Sequence, residues 1–195
     1  MANVRVLTRV KRGIQYHLVD ATAMLAESTP VLAAFETGIA DMSVQVSLNA
    51  RLIAAMLTYF GGTGYLYAKG RDLSRKLFKI QDGTKERIQH FHDSAYLGAF
   101  NLVIAPLLYV ASGARDRREI VIGTATAIAF GLVNGGPMGY VLDMFRDLTS
   151  LKECNRSSYP GLLRRQNRTV KMGLFVLLIV LAVVTTWCIY LLKNQ

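Results

Sequence analysis

The chain has 195 residues, of which 52% are hydrophobic and 18% are charged, and its formal net charge is +10. A soluble domain carries about 45–50% apolar and about 25% charged residues, and the apolar residues here are gathered into long blocks separated by short basic stretches. This pattern is typical of a polytopic helical membrane protein. Because the basic residues lie in loops beside apolar blocks, membrane topology explains the positive charge better than nucleic-acid binding does.

Five apolar blocks are each long enough to cross about 30 Å of hydrocarbon. In chain order they lie at residues 18–40, 45–68, 93–113, 119–142 and 171–192. The first four are rich in Gly, Ala, Ser and Thr and carry charges, as in helices that pack together or line a cavity. The fifth is a plain Leu/Val/Ile-rich span with Trp187 and Tyr190 near one end, and it is expected to sit apart in lipid.

These blocks predict an all-α fold in four parts. A basic cytoplasmic N-terminus at 1–17 precedes a four-helix transmembrane unit at 18–147, and a basic cytoplasmic linker at 148–170 precedes an additional transmembrane helix at 171–192. The N-terminal segment has no continuous apolar region before a small-residue cleavage site, so no cleavable signal peptide is predicted. Cys154 and Cys188 belong to no paired motif, and no disulfide framework follows from them.

The Lys and Arg residues lie mainly on one side of the predicted spans. The N-terminal segment and the loops 69–92 and 143–171 hold 18 of them, against four in the turn "GARDRRE" and the C-terminus. The positive-inside rule therefore places the N-terminus in the cytoplasm, and five spans place the C-terminus outside. The two basic loops either determine the topology from the inner leaflet or bind anionic lipid specifically.

Ionisable residues inside apolar helices are costly and suggest function. The first block holds Asp20, Glu27 and Glu36, and the second holds Arg51. Glu36 and Arg51 lie at similar distances from the turn that joins their helices, so they are expected to pair. The pair is either a structural link between the two helices or a substrate or proton site. Asp20 is either solvated near the cytoplasmic surface or part of that site, and Glu27 is either a proton carrier or a neutral, hydrogen-bonded acid.

Small residues recur every four positions in the fourth block. They are Gly123, Ala127, Gly131, Gly135 and Gly139. Such a stripe lets another helix approach closely, and it predicts the interface of a homo-oligomer. Pro137 removes a backbone donor and Asn134 offers polar atoms nearby, so local unwinding and a hinge are predicted at this point.

Two further patterns leave alternatives open. The stretches "GYLYAKGRDL" and "GYVLDMFRDL" end the second and fourth blocks and share five residues, either through duplication of a two-helix hairpin or by chance. His90 and His92 precede Asp93, in a spacing that either binds a metal or marks an interfacial helix start. We predict no metal site and no cofactor. No Ser/His/Asp or phosphate-loop arrangement is visible, so no enzyme is predicted.

Several short motifs resemble those of the bacterial L-alanine exporters of the inner membrane. "LVDATAM" is similar to the family's Val-Ala-Asp-Thr-Phe-Ala-Met, "ARLIA" to its Ser-Arg-Leu-Val-Ala, and "GGPMGYVLD" to its Gly-Ala-Val-Tyr-Gly-Tyr-Phe-Leu-Asp. "RDL" and "DSAYLGAF" also match, and the resemblance covers about residues 16–147. The matching positions are Asp20, Glu36, Arg51, Arg71, Asp72, Gly135, Gly139, Tyr140 and Asp143. Gly61-Gly62 stands where the family has proline, and Glu27 and the fifth helix have no counterpart.

The resemblance implies a secondary exporter of L-alanine or related small amino acids in the inner (plasma) membrane, driven by the proton gradient through alternating access. The expected substrate and proton site consists of Asp20, Glu27, Glu36, Arg51 and Asn134. Packing or hinge positions are expected at Gly131, Gly135, Pro137 and Gly139. A cytoplasmic gate is expected from Arg71, Asp72, Tyr140 and Asp143. The alternative function is a non-transporting membrane scaffold or an anionic-lipid-binding anchor.

Overall fold

The structure, a computed structural model of the protein, describes residues 2–38, 43–81, 83–111 and 117–193. All regular secondary structure in these ranges is α-helical. The helices are α1 (Ala2–Gly38), α2 (Val44–Tyr59), α3 (Thr63–Leu77), α4 (Glu86–Ala111), α5 (Arg117–Leu148), α6 (Gly161–Arg164) and α7 (Arg168–Lys193). The predicted all-α class agrees with this architecture.

Three stretches of the described helices are long and apolar enough to cross a membrane. They are Val10–Phe35 in α1, Thr124–Leu148 in α5 and Arg168–Lys193 in α7. The predicted count of four spans plus one is therefore supported only in part. The α2 helix has 16 residues, which corresponds to a length of about 24 Å, shorter than the hydrocarbon core.

The predicted second span at 45–68 is two helices rather than one. The α2 helix ends at Tyr59, and α3 begins at Thr63. Between them Gly62 has a φ of +75°, a conformation that costs glycine far less than other residues. The amide of Gly61 donates to the carbonyl of Met56, and the hydroxyl of Thr63 donates to the carbonyl of Leu57. These bonds satisfy the carbonyls that the end of α2 leaves without helical partners.

The predicted unwinding near Pro137 is wrong, because α5 is a continuous helix from Arg117 to Leu148. Pro30 and Pro106 likewise lie inside the continuous helices α1 and α4. A proline removes one intrahelical hydrogen bond, and the helix persists where packing on its other face outweighs that loss. In α5 the glycines around Pro137 provide such packing.

The described chain forms two compact units. The first unit comprises Met1–Ala68, Val141–Cys154 and Tyr159–Gln195, and the second comprises Lys69–Tyr140 and Asn155–Ser158. In the second unit, the glycine stripe of α5 packs against α4. A Cβ added at Gly135 would lie 2.4 Å from the Cα of Ser94, and one at Gly131 would lie 3.0 Å from the amide nitrogen of Gly98. The stripe therefore packs inside one chain, which corrects its assignment as an interface between copies.

In the first unit, α1 packs against both α2 and α7. The hydroxyls of Ser47 and Tyr190 lie 3.1 Å apart and join α2 to α7. The ring of Phe175 in α7 packs edge-on against Phe145, with 5.2 Å between the ring centroids. The expectation that the fifth predicted helix sits apart in lipid is therefore wrong. Its apolar composition suits contact with other helices as well as contact with lipid, so composition alone does not distinguish the two.

Candidate substrate cavity and buried ion pairs

The first unit has an open cavity of about 600 Å³ between α1, α2 and α7. Most of its wall is aliphatic. The polar or aromatic lining residues include Thr22 and Thr29 of α1, Arg51 and Tyr59 of α2, and Thr186 and Trp187 of α7. Small-molecule sites commonly measure about 300–1,000 Å³ and combine an apolar wall with a few convergent polar groups. The cavity has the size and the chemistry of such a site.

Hydrogen bonds between the helices involve residues at both ends of this cavity. At one end the hydroxyl of Thr22 lies 2.8 Å from the hydroxyl of Tyr59, and Nε2 of His17 donates to the carbonyl of Tyr59 over the same distance. At the other end lies the contact between Ser47 and Tyr190. These bonds join α1 to α2 and α2 to α7 beside the cavity.

Arg51 brings a guanidinium group to this mostly apolar wall. A positive charge in a low-dielectric environment attracts an anion far more strongly than it would in water, and the planar guanidinium matches a carboxylate in geometry. Glu27 is half-buried on α1, beside the lining residue Ala26. The side chain of Glu36 lies outside the described part of the structure, so the expected pair of Glu36 and Arg51 stays a prediction.

Asp20 is buried, with 3% of its surface exposed, so it is not solvated at the cytoplasmic surface. Arg146 binds both of its carboxylate oxygens, with Nε at 2.7 Å from Oδ1 and Nη2 at 2.9 Å from Oδ2. The guanidinium of Arg146 also stacks on the ring of Tyr16, at 5.5 Å from the ring centroid. This two-pronged pair fixes the end of α5 to α1 in the first unit.

Asp147, the next residue along α5, is also buried in the first unit. Its Oδ2 lies 2.9 Å from Nζ of Lys171 and accepts a hydrogen bond from the hydroxyl of Tyr159 over 2.8 Å. Its Oδ1 accepts from the backbone amide of Cys154. A single carboxylate thus joins α5 to the start of α7 and to the segment between them.

In the second unit, three arginines converge on the buried carboxylate of Asp93. Arg71 and Arg75 of α3 each donate from Nε to Oδ1 and from Nη2 to Oδ2, over distances of 2.6–3.1 Å. Arg156 donates to Oδ2 over 2.8 Å, and Nδ1 of His92 lies 3.2 Å from Oδ1. We refer to Arg71, Arg75, Asp93 and Arg156 as the Asp93 cluster.

Two residues of α5 complete this cluster. The carbonyl of Gly139 accepts a hydrogen bond from Nη2 of Arg71 over 2.9 Å. A Cβ at Gly139 would lie 2.0 Å from Oδ2 of Asp93, so a side chain at this position would displace the carboxylate. The guanidinium of Arg156 lies over the ring of Tyr140, at 5.6 Å from its centroid.

The remaining predicted positions fall in different places. Asp72 is partly exposed, with one carboxylate oxygen 4.0 Å from Nη1 of Arg71, whereas Asp143 is half-buried in the first unit. Asn134 is buried on α5, and its Nδ2 has no hydrogen-bond partner among the described residues. The structure thus brings Arg71 and Tyr140 into one cluster, while Asp20 and Arg51 lie in the first unit at the ion pair and the cavity.

We refer to the predicted blocks 18–40 and 45–68, with the residues that follow them, as the first hairpin, and to the blocks 93–113 and 119–142, with the residues that follow them, as the second hairpin. The ion pairs join residues of these hairpins in a reciprocal manner. Asp20 of the first hairpin pairs with Arg146, which ends the second hairpin. Asp93 of the second hairpin pairs with Arg71, which ends the first. Arg71 and Arg146 are the arginines of the two "RDL" stretches, at matching positions in the two similar segments. The reciprocal pairing favours the duplication interpretation of those segments.

Sequence reasoning did not identify Arg75, Arg146 or Arg156 as site residues, and it considered Asp93 only for a metal. The signal for Arg75 is its spacing of four residues from Arg71, which places both guanidiniums on one helix face. His92 contacts Ser74 over 2.9 Å in addition to Asp93. Among the described residues, no group of three or more His, Cys, Asp and Glu side chains could hold a metal ion.

Glu86, at the start of α4, anchors the segment 155–158 of the second unit. Its carboxylate accepts hydrogen bonds from the hydroxyl of Ser157 and from both the amide and the hydroxyl of Ser158. Burial raises the pKa of this carboxyl, but these hydrogen bonds lower it by more, so the pKa falls from 4.5 to about 2. The carboxylate is therefore ionised at neutral pH, and it holds the segment that carries Arg156.

A family model described as the L-alanine exporter (AlaE) matches residues 9–152 of this chain. The match spans α2 to α4, nearly all of α1 and the whole of α5, and it ends before α6 and α7 begin. Searches of curated proteins and of solved structures found no match.

Proposed function

The chain belongs to the L-alanine exporter family, and from that premise we propose that it exports L-alanine or related small amino acids across the inner membrane. It is a membrane protein of a transporter family, with helices apolar enough to span a bilayer. One observation supports the substrate site above all: Arg51 lines a mostly apolar cavity in the first unit.

The proposed binding mode follows from the charges of an amino-acid zwitterion. Its carboxylate binds the guanidinium of Arg51, in a water-poor cavity where such an ion pair is strong. Its ammonium group binds an acidic residue of α1, for which Glu36 and Glu27 are the candidates. When substrate is absent, these acids remain near Arg51 and limit the cost of its burial.

We propose that transport proceeds by alternating access and that the proton gradient drives it. In this scheme the Asp93 cluster, with Asp72 and Tyr140, acts as the cytoplasmic gate of the second unit, and the Asp20–Arg146 pair is the corresponding contact of the first unit. Protonation of a gate carboxylate removes the charge that binds the guanidiniums, so it weakens these contacts and favours opening. Because each pair joins the two hairpins, the reciprocal arrangement supports a scheme in which both hairpins move when the gate opens.

The proposed topology retains five crossings, with the N-terminus in the cytoplasm and the C-terminus outside. In this topology the short α2 and the first turns of α3 together make the second crossing, with the break at Gly62 inside or near the membrane. Broken helices of this kind occur where transporters line a cavity. A homo-oligomer stays a prediction, and the described residues of one chain provide all the lining named for the cavity.

The test is flux of radiolabelled L-alanine in proteoliposomes that contain the purified full chain under an imposed pH gradient. Arg51→Ala should reduce the initial rate by about 100-fold or more, because the substrate carboxylate loses its charged partner. Arg51→Lys should retain part of the rate, since the charge remains but the planar geometry is lost. Arg87→Ala is the matched control, because Arg87 is an exposed arginine on α4, and it should leave the rate unchanged.

Two results would contradict the proposal. Undiminished flux in Arg51→Ala would show that the substrate carboxylate binds elsewhere. Absence of flux in the wild-type chain, together with binding to anionic vesicles, would favour the alternative function of a lipid-binding anchor built on the two basic loops.

A further inference from the structure

The second unit contains a short segment from outside the region that matches the exporter family. The match ends at residue 152, whereas Asn155–Ser158 belongs to the second unit together with Lys69–Tyr140. We refer to Asn155–Ser158 as the 155–158 segment. Its Arg156 has 2% of its surface exposed and donates a hydrogen bond to the carboxylate of Asp93. This segment therefore adds a third guanidinium to a carboxylate of the family's own region.

The carboxylate of Asp93 does not need this third arginine to satisfy its hydrogen bonds. An ionised carboxylate has about four lone-pair sites. Arg71 and Arg75 already donate four hydrogen bonds to its two oxygens, two from each guanidinium. Three guanidiniums around one carboxylate also repel one another, and the repulsion is stronger in a buried site than in water. The contact of Arg156 therefore indicates a role other than satisfying a buried acid.

The 155–158 segment is attached to both α4 and α5. The carboxylate of Glu86, at the start of α4, accepts hydrogen bonds from the hydroxyl of Ser157 over 2.6 Å and from the amide of Ser158 over 2.8 Å. The guanidinium of Arg156 lies over the ring of Tyr140 on α5. The segment therefore ties two helices of the second unit together beside the Asp93 cluster.

We propose that the 155–158 segment holds the cytoplasmic gate of the second unit closed and that Arg156 slows its opening. This inference rests on the proposed function, because it concerns the regulation of the same gate. The contacts of the segment add to those that must break when the gate opens. Without Arg156, the charge of Asp93 is still paired with Arg71 and Arg75, so no buried carboxylate is left unpaired. Loss of Arg156 should therefore accelerate transport, whereas loss of a residue needed for folding would slow it.

Alanine flux in proteoliposomes under a pH gradient measures this effect. Arg156→Met removes the charge and the hydrogen bond, and Glu86→Gln weakens the attachment of the segment while leaving Arg156 in place. Each should raise the initial rate by about threefold or more, because a hydrogen bond between charged groups shifts an opening equilibrium at least that far. Arg156→Lys retains the charge without the planar fork and should give an intermediate rate. Arg165→Met and Glu153→Gln make the same chemical changes at exposed residues and should leave the rate unchanged.

Cleavage by trypsin after Arg156 reports release of the segment without any need for transport. Cleavage of a transiently released segment follows the fraction of time for which it is released. In the full chain in lipid nanodiscs, Glu86→Gln should increase cleavage between Arg156 and Ser157 by about tenfold, because it weakens hydrogen bonds to a charged group. Peptide masses identify the cleaved bond. Cleavage after Arg164, which is exposed on α6, is the internal control and should not change.

The outcomes separate this inference from the proposed function. Wild-type alanine flux that neither Arg156→Met nor Glu86→Gln accelerates would overturn the inference and leave the exporter intact. Lower flux in Arg156→Met at normal abundance would also overturn it, because the arginine would then be required for transport. Absence of flux in the wild-type chain contradicts the proposed function, and the digestion then tests the segment alone. Faster cleavage after Arg156 in Glu86→Gln supports a releasable segment held by Glu86, and equal cleavage overturns it.

Discussion

The lack of a side chain at Gly139 leaves room for the carboxylate of Asp93 in the second unit. The Asp93 carboxylate accepts hydrogen bonds from three arginines, and it lies in the space that a Cβ at position 139 would fill. Backbone from α5 thereby comes close enough for the carbonyl of Gly139 to bind Arg71. The glycine is required by the position of the carboxylate, which is a more specific reason than helix packing alone.

We therefore expect Gly139→Ala to destabilise the protein by about 1–3 kcal/mol, because the new methyl group forces the carboxylate away from its partners. The measurement is the midpoint of thermal unfolding in detergent or nanodiscs. Gly13→Ala is the control, since a Cβ at Gly13 would meet no atom within 4 Å. That change should be neutral or stabilising, because alanine favours a helix over glycine by about 0.5–1 kcal/mol. Equal effects of the two substitutions would contradict the role of Gly139.

The Glu86 carboxylate should make the free energy of unfolding depend on pH. Its pKa is lowered from 4.5 to about 2 in the folded protein, so its hydrogen bonds stabilise the folded state fully above pH 4.5. This stabilisation is lost as the pH falls from 4.5 toward 2, because in this range the unfolded state binds a proton at Glu86 and the folded state does not. The difference in unfolding free energy between wild type and Glu86→Gln should accordingly be constant near neutral pH and shrink below pH 4.5. A difference that stays constant down to pH 3 would exclude this role.

At the scale of elements, α7 packs differently from what its sequence predicts. Its apolar composition suggested a helix solvated by lipid, yet α7 packs on α1, binds Asp147 through Lys171 and forms a wall of the cavity. Tyr159 in the preceding segment also binds Asp147. The sequence gives no periodic polar signal for these contacts, because helix association in a membrane relies on shape and on a few polar pairs.

Truncation after residue 155 should therefore abolish both folding and transport, whereas the sequence pattern predicts a fifth helix that sits apart in lipid. The truncated chain loses the α7 wall and leaves Asp147 buried without Lys171 and Tyr159, which costs about 3–5 kcal/mol. Flux normalised to protein level, together with size-exclusion profiles, measures the effect. Lys171→Met in the full chain separates the lost ion pair from the lost wall: it should reduce stability but retain the cavity. Normal flux from the truncated chain would falsify the assignment of α7 to the working core.

At the scale of the whole molecule, the ion pairs of the two hairpins are reciprocal, and each joins an aspartate near the start of one hairpin to an arginine at the end of the other. Neither pair links residues close in sequence, since 126 positions separate Asp20 from Arg146 and 22 separate Asp93 from Arg71. Such pairs are natural contacts to break in a transition between closed and open states, because each has a discrete bound arrangement.

Under the proposed gating scheme, Asp20→Asn should open the cytoplasmic side more often. Cys154 is buried in the first unit, with 1% of its surface exposed, so its reaction rate with a small maleimide reports opening. In a Cys188→Ser background, Asp20→Asn should increase this rate by at least about tenfold, because removing one partner of a buried pair costs several kcal/mol. Arg87→Ala is the control, because Arg87 is exposed and lies outside the proposed gate. Unchanged labelling of Cys154 in Asp20→Asn would contradict a gating role for the pair.

The sequence by itself determined the class of protein and its family. Long apolar blocks, the bias of Lys and Arg toward one set of loops, and short motifs such as "ARLIA" and "GGPMGYVLD" depend only on local composition and order. The family model at residues 9–152 confirms the resemblance. The sequence also identifies the acidic and basic residues within apolar helices as candidate functional residues, because a charge inside an apolar helix is costly whatever the fold.

Only the tertiary structure decided which of these charges meet. Spacing along one helix places residues on a face, but it does not specify which helix covers that face, so Arg146 and Arg156 were not identified as partners of Asp20 and Asp93. The same reason explains the glycine stripe, whose partner is α4 of the same chain, and α7, whose partner is α1. Local patterns specify which surfaces must be buried, and the choice of what buries them depends on contacts between residues far apart in sequence.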